Sequence, residues 1–160
     1  MAEGGSRPVL VFAWGNPSRG DDALGPALLE RLEAEGDALP HVEFLTDFQL
    51  QIEHAVDLEG RDLVLFVDAD LGAEPPFELR RVEPEADIGY TTHAMSPGAL
   101  LAVYRRIEGE PPPAFVLAIR GYAFELGTPL SPDAEGNLEA AVTRMRRLLT
   151  TAEKGTDLFS

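Results

Sequence analysis

The chain has 160 residues and a formal net charge of −15, with 28 acidic side chains against 13 Lys and Arg and no cysteine. That length suits one domain with a sizeable core, and the absence of thiols excludes disulfides, a cysteine nucleophile and thiolate metal ligands. The acidic excess excludes a nucleic-acid partner, because too few cations are present to displace the counterions of a phosphate backbone.

In chain order, an apolar, β-branched-rich segment over 8–13 predicts a first strand, which ends in Trp14-Gly15-Asn16-Pro17. A polar loop with the adjacent acids Asp21 and Asp22 follows, and Leu24, Leu28 and Leu32 then mark a helix. A break at 36–40 precedes a half-buried strand over 41–46, ending at Asp47. Leu50 or Ile52, with Ala55, Val56 and Leu58, outlines a short amphipathic helix that Gly60 ends, His54 lying off its apolar face. Residues 63–67 are continuously apolar, as expected of a central strand buried on both faces, and they stop abruptly at Asp68-Ala69-Asp70.

Beyond Pro75-Pro76, residues 77–82 predict a shorter strand near a sheet edge. Ser96 as N-cap with Pro97 at the first helical position announces a helix to about Arg106, which leaves His93 in the loop ahead of it. Residues 114–119 form a last buried strand and 120–130 a long loop. Ser131-Pro132 repeats the capping device for a C-terminal helix striped by Leu138, Val142, Met145 and Leu149. Strands alternating with helices imply an α/β fold, a three-layer α/β/α sandwich around a mostly parallel sheet. One domain over 1–160 is expected, frayed at 1–6 and 155–160. No apolar run approaches the roughly 20 residues that span a bilayer, and residues 1–6 lack a charged n-region followed by an apolar h-region. A cytoplasmic protein without a membrane partner is expected.

In such sheets ligands bind beyond the carboxyl ends of the strands. Asp21, Asp22, Asp47, Asp68 and His93 all fall just after predicted strands or just before predicted helices. Two carboxylates and an imidazole from separate loops, Asp22, Asp68 and His93, suit a divalent metal with open positions, which can polarise a carbonyl and lower the pKa of bound water. Each residue also has a plainer use. Asp21 or Asp22 can cap the following helix, Asp68 can cap or salt-bridge at a strand end, and His93 can brace the helix after it. His41 and His54 read as structural, and Trp14 and Tyr122 as packing. Asn16 can hold the acid loop through side-chain to backbone bonds.

The run Gly15-Asn16-Pro17-Ser18-Arg19-Gly20-Asp21-Asp22-Ala23-Leu24-Gly25-Pro26 resembles the Gly-Asn-x-x-x-x-Asp-Asp/Glu-x-x-Gly signature of the NiFe-hydrogenase maturation endopeptidases. The likeness continues at Val67-Asp68-Ala69 and Thr91-Thr92-His93-Ala94-Met95, and so covers essentially the whole chain. It implies a five-stranded twisted sheet and removal of a C-terminal extension from a hydrogenase large-subunit precursor after nickel insertion. Asp22 and Asp68 match the family's metal-contacting acids, His93 its imidazole ligand, and Asp47 an acid carried after the second strand. Nickel would then be supplied by the precursor. Ala13 and Ala23 stand where many members have glycine. After Asp47, where members often have Gly-Gly-Thr, this chain has Phe48-Gln49-Leu50-Gln51-Ile52-Glu53-His54, which points to Gln49 and Gln51 as substrate-specificity residues.

Two rivals belong to other classes. A phosphoacceptor signalling domain needs a lysine near its last strand, and the chain's single lysine, Lys154, is far beyond it. A non-catalytic nickel-sensing chaperone would use the same three ligands, and only exposure to precursor separates it from a peptidase. A peptidyl-tRNA hydrolase conflicts with the net charge.

Overall fold

The computed structural model describes residues 7–35, 38–85 and 95–152. Five strands, β1 (Val9–Trp14), β2 (Val42–Asp47), β3 (Leu63–Asp70), β4 (Phe77–Val82) and β5 (Ala114–Arg120), form one sheet in the order β2-β1-β3-β5-β4. The first four of that order run parallel, and β4 closes the edge antiparallel to β5. As expected of a strand flanked on both sides, β1 is buried along its whole length. Edge strand β4 carries its Arg and Glu residues into partly or fully exposed positions.

Alternation along the strands sends side chains into two cores. Val9, Val11 and Ala13 of β1 pack with Leu65 and Val67 of β3 beneath α1 (Leu24–Glu33) and α3 (Pro132–Ala152). Leu10, Phe12 and Trp14 pack with Val64 and Phe66 on the other face, beneath α2 (Pro97–Ile107) and a short 3-10 helix, Ile52–Leu58. The three layers are therefore those expected. Ser96 caps α2 by accepting from the Ala99 amide at 3.1 Å, with Pro97 opening the helix, and Ser131 accepts from Ala134 N at 3.3 Å at the start of α3. Among the described residues no helix is long and apolar enough to cross a membrane. The expected fraying at 1–6 and 155–160 lies outside the described residues.

One strand end differs from the sequence expectation. The third strand does not stop at Val67 but continues through Asp68 and Asp70, because β5 runs alongside far enough to pair Asp68 with Ala118 and Asp70 with Arg120. Asp68 is thus held on a rigid ladder rather than in a loop. By the two-residue period of a strand, Asp68 and Asp70 point to the same face as Phe66.

Candidate functional site

The loop after β1 is fixed by backbone requirements. Gly15 has φ +146°, and a Cβ there would lie 2.1 Å from the Asp22 carbonyl oxygen, so only glycine allows the chain to double back so tightly. The next amide, Asn16 N, donates to Asp22 Oδ2 at 2.7 Å, and Asn16 Oδ1 accepts from Ser18 N at 2.9 Å. This is the bracing role expected of Asn16.

Neither acid of the pair caps the helix. Asp22 lies in a 3-10 turn, Gly20–Ala23, and neither that turn nor α1 has a side-chain N-cap bond. Asp21 is fully buried. Its carboxylate accepts from Tyr122 N at 2.7 Å, Ala123 N at 3.0 Å, Ser131 N at 2.7 Å and Ser131 Oγ at 2.8 Å. Burial pushes its pKa up, but the hydrogen bonds from Ser131, Tyr122 and Ala123 outweigh that and hold the group below the ordinary carboxylate range. Asp21 is therefore a staple between the first loop and the last, while Asp22 is bound locally by Asn16 N.

Three strand ends meet at this edge. Asp47 pairs with Trp14 across β2 and β1, and Ala13 pairs with Val67, so Asp68, next along β3, lies in the row of Trp14. Asp47 and Asp68 then stand on one face with Trp14 between them, about 10 Å apart at two strand spacings. Burial, opposed by a hydrogen bond from the Ala69 backbone and reinforced by the charges of Asp22 and Asp70, pushes the Asp68 carboxyl up to about 7. Asp68 and Asp70 line a cleft of about 440 Å³ with Trp14, Arg80, Glu85 and Ser96. A cation entering there would relieve the repulsion between Asp68 and Asp70, which line it.

His93 lies outside the described residues, as does most of the loop that carries it. The chain on either side of that segment is anchored near the cleft. Glu85 N donates to Gly98 O at 2.9 Å, and Met95 N donates to Leu50 O at 3.3 Å. Among the described residues no three His, Asp or Glu side chains are grouped as a metal site.

The region after Asp47 departs from the amphipathic helix read in the sequence. Ile52 and Val56 are exposed, as is Phe48, whereas His54 is buried with Leu50, Ala55 and Leu58. His54 turns inward because both ring nitrogens find partners there: Gln51 N donates to Nδ1 at 2.8 Å, and Nε2 lies 3.1 Å from Asp47 Oδ2. The Gln51 side chain caps the 3-10 helix reciprocally with His54, while Gln49 is half-buried. The pairing of Asp47 with His54 was missed in the sequence. Its one signal was a histidine three residues after Gln51, at the position of a capping box.

No protein-family model matches the chain, and no curated protein matches it by sequence. Solved structures do. The NiFe hydrogenase maturation protease HycI from Thermococcus kodakarensis KOD1 superposes with a TM-score of 0.70 at 21% identity, covering 91% of this chain and 94% of that one. The hydrogenase maturating endopeptidase HybD from E. coli gives a TM-score of 0.69 at 24% identity, covering 92% and 93%. The hydrogenase 3 maturation protease gives 0.63 at 24% identity, covering 85% and 87%. The chain shares the fold of these proteins over nearly its whole length.

Proposed function

We propose that this chain is an endopeptidase of the hydrogenase-maturation type, which removes the C-terminal extension of a NiFe-hydrogenase large-subunit precursor once nickel has been inserted into that precursor. The observation that carries this reading is the Asp22–Asp68 pair. Two carboxylates from separate elements lie at the carboxyl ends of parallel strands, close enough that the charge of Asp22 adds to burial in pushing Asp68 up to about 7, where a divalent cation would favour its ionisation. The shared fold and the sequence blocks around Asp22, Asp68 and His93 support the same reading.

In this reading nickel belongs to the substrate. Asp22, Asp68 and His93 engage it, Asp68 releasing its proton as the ion arrives. A precursor without nickel is then not positioned for cleavage. Asp47, exposed at the end of β2, serves as the base: it takes a proton from water as the water oxygen adds to the scissile carbonyl, and hands that proton to the departing amine nitrogen as the C–N bond breaks. The protein acts in the cytoplasm, with the precursor as its macromolecular partner.

The test is to incubate the purified protein with nickel-loaded or nickel-free precursor and read intact masses. Loss of the extension from the loaded form alone is expected. Tight nickel-dependent binding with the length of the precursor unchanged would instead identify a chaperone. A second outcome concerns substrate choice. Replacing Gln49 and Gln51 together is expected to change the ranking of precursors from different hydrogenases, Gln51 acting through the 3-10 helix it caps. Unaltered ranking in competition assays would remove both residues from specificity.

A further inference from the structure

We propose that His54 is the positioning residue for Asp47: its neutral imidazole, with the tautomer set by a backbone amide, holds the exposed carboxylate in one orientation toward the site. This rests on the endopeptidase reading for its consequence but not for its geometry. The Gln51 amide donates to Nδ1, so that nitrogen carries a lone pair and the ring proton lies on Nε2, which donates to Asp47 Oδ2. The other oxygen, Oδ1, accepts from Phe48 N at 2.7 Å. Two donors on two oxygens fix the carboxylate plane. The remaining lone pairs of both oxygens stay available, and 43% of the Asp47 side-chain surface is open to solvent.

The donor is itself rigid. Only 11% of the His54 side chain is exposed, and its ring stands edge-on to Phe12 with the centroids 4.5 Å apart. Helix capping does not need this bond, because the reciprocal cap uses Nδ1 and leaves Nε2 for Asp47 alone. The same arrangement excludes His54 as a general base. Its free lone pair is already occupied by Gln51 N–H, so the pair is not the acid–imidazole half of a nucleophile triad. The proton-accepting group that remains is the carboxylate.

The experiment uses two variants of the full chain. His54→Phe keeps a ring against Phe12 and removes both nitrogens, whereas His54→Gln offers an amide N–H near the place of Nε2. In solution NMR of the protein without substrate, the parent is expected to show the Nε2–H tautomer at His54 and a single χ1 rotamer for Asp47. His54→Phe should show rotamer averaging at Asp47, and His54→Gln should not. An Nδ1–H tautomer in the parent, or a single Asp47 rotamer in folded His54→Phe, overturns the proposal whether or not any cleavage is seen. With nickel-loaded precursor, His54→Phe is expected to lower kcat about 10- to 100-fold, the range for groups that orient a reacting residue. KM should stay within about threefold, and His54→Gln should recover most of the loss. A loss confined to KM, or a His54→Gln as poor as His54→Phe while both melt like the parent, also overturns it. Absence of cleavage by the parent strikes the endopeptidase reading and leaves the NMR result to decide the role of His54.

Discussion

Asp68→Asn is expected to abolish cleavage of nickel-loaded precursor and, in the same molecule, to make the protein harder to unfold above neutral pH. On the proposed function, loss of activity follows from replacing one of the two carboxylates assigned to the nickel by a neutral amide of the same shape. The gain in stability follows from the sign of the pKa shift. The Asp68 carboxyl is raised from 3.8 to about 7 by burial and by the charges of Asp22 and Asp70. The folded state therefore holds this proton more tightly than the unfolded chain does, and the group lowers stability progressively as pH rises from about 4 to about 7. Three units correspond in the limit to about 4 kcal/mol, and the partial exposure of Asp68 brings the expectation nearer 2 kcal/mol. Denaturant unfolding of parent and variant, with a chelator present, checks this at pH 5 and pH 8. The variant should lead by clearly more at pH 8. An equal gap at both values would mean that the carboxyl is not held back from ionising. A residue that costs the fold and, on the proposed function, serves the reaction is what a stability–activity trade-off looks like at one position.

Asp21→Ala has the opposite character. The carboxylate is fully buried and serves three backbone amides and one hydroxyl from Tyr122, Ala123 and Ser131. Truncation leaves those donors without acceptors, at about 1–3 kcal/mol for each buried group that stays unsatisfied. A total loss of about 4 kcal/mol is expected, or roughly 10 to 15 °C in Tm for a chain of this size. Asp21→Asn should fare little better, since an amide nitrogen would face amide donors. Because the folded pKa is depressed, the stabilisation by Asp21 is present above the unfolded value of 3.8 and is lost as pH falls through the lower folded value. The deficit of the variant should accordingly shrink in strong acid. Thermal unfolding at pH 7 and near pH 3 measures both effects. A Tm within two or three degrees of the parent at pH 7 would show that the staple is dispensable.

Much of this architecture was legible because each strand and helix reports its own surroundings. Continuous apolar runs marked β1, β3 and β5 as central strands, and the charged residues of β4 marked it as an edge. Ser96-Pro97 and Ser131-Pro132 announced their helices because capping chemistry is local. The same reasoning placed Asp22, Asp47 and Asp68 at the carboxyl ends of parallel strands, since an acid that interrupts an apolar run marks such an end. It stopped short where a residue's role depends on a distant partner. Nothing within the first loop says that Asp21 will accept bonds from residues about a hundred positions away. His54 is structural, as read, but its face is not legible for a related reason: period and hydropathy assign a histidine to the wet face, and only satisfaction of both its nitrogens by Gln51 and Asp47 offsets turning it inward.

The staple at Asp21 also bears on the order in which the molecule is built. Tyr122, Ala123 and Ser131 lie between the last strand and the last helix, so the acid loop cannot be locked until the final quarter of the chain has been synthesised and docked. Closing contacts of such sequence separation is slow relative to forming the helices. A nascent chain that has already laid down β1, β2 and β3 would carry Asp22 on a loop held by local bonds such as that to Asn16, without the tie to residues 122–131. The Asp21 staple thus arrives with α3, last of all, and a partly made protein lacks the tie that joins its first loop to its last.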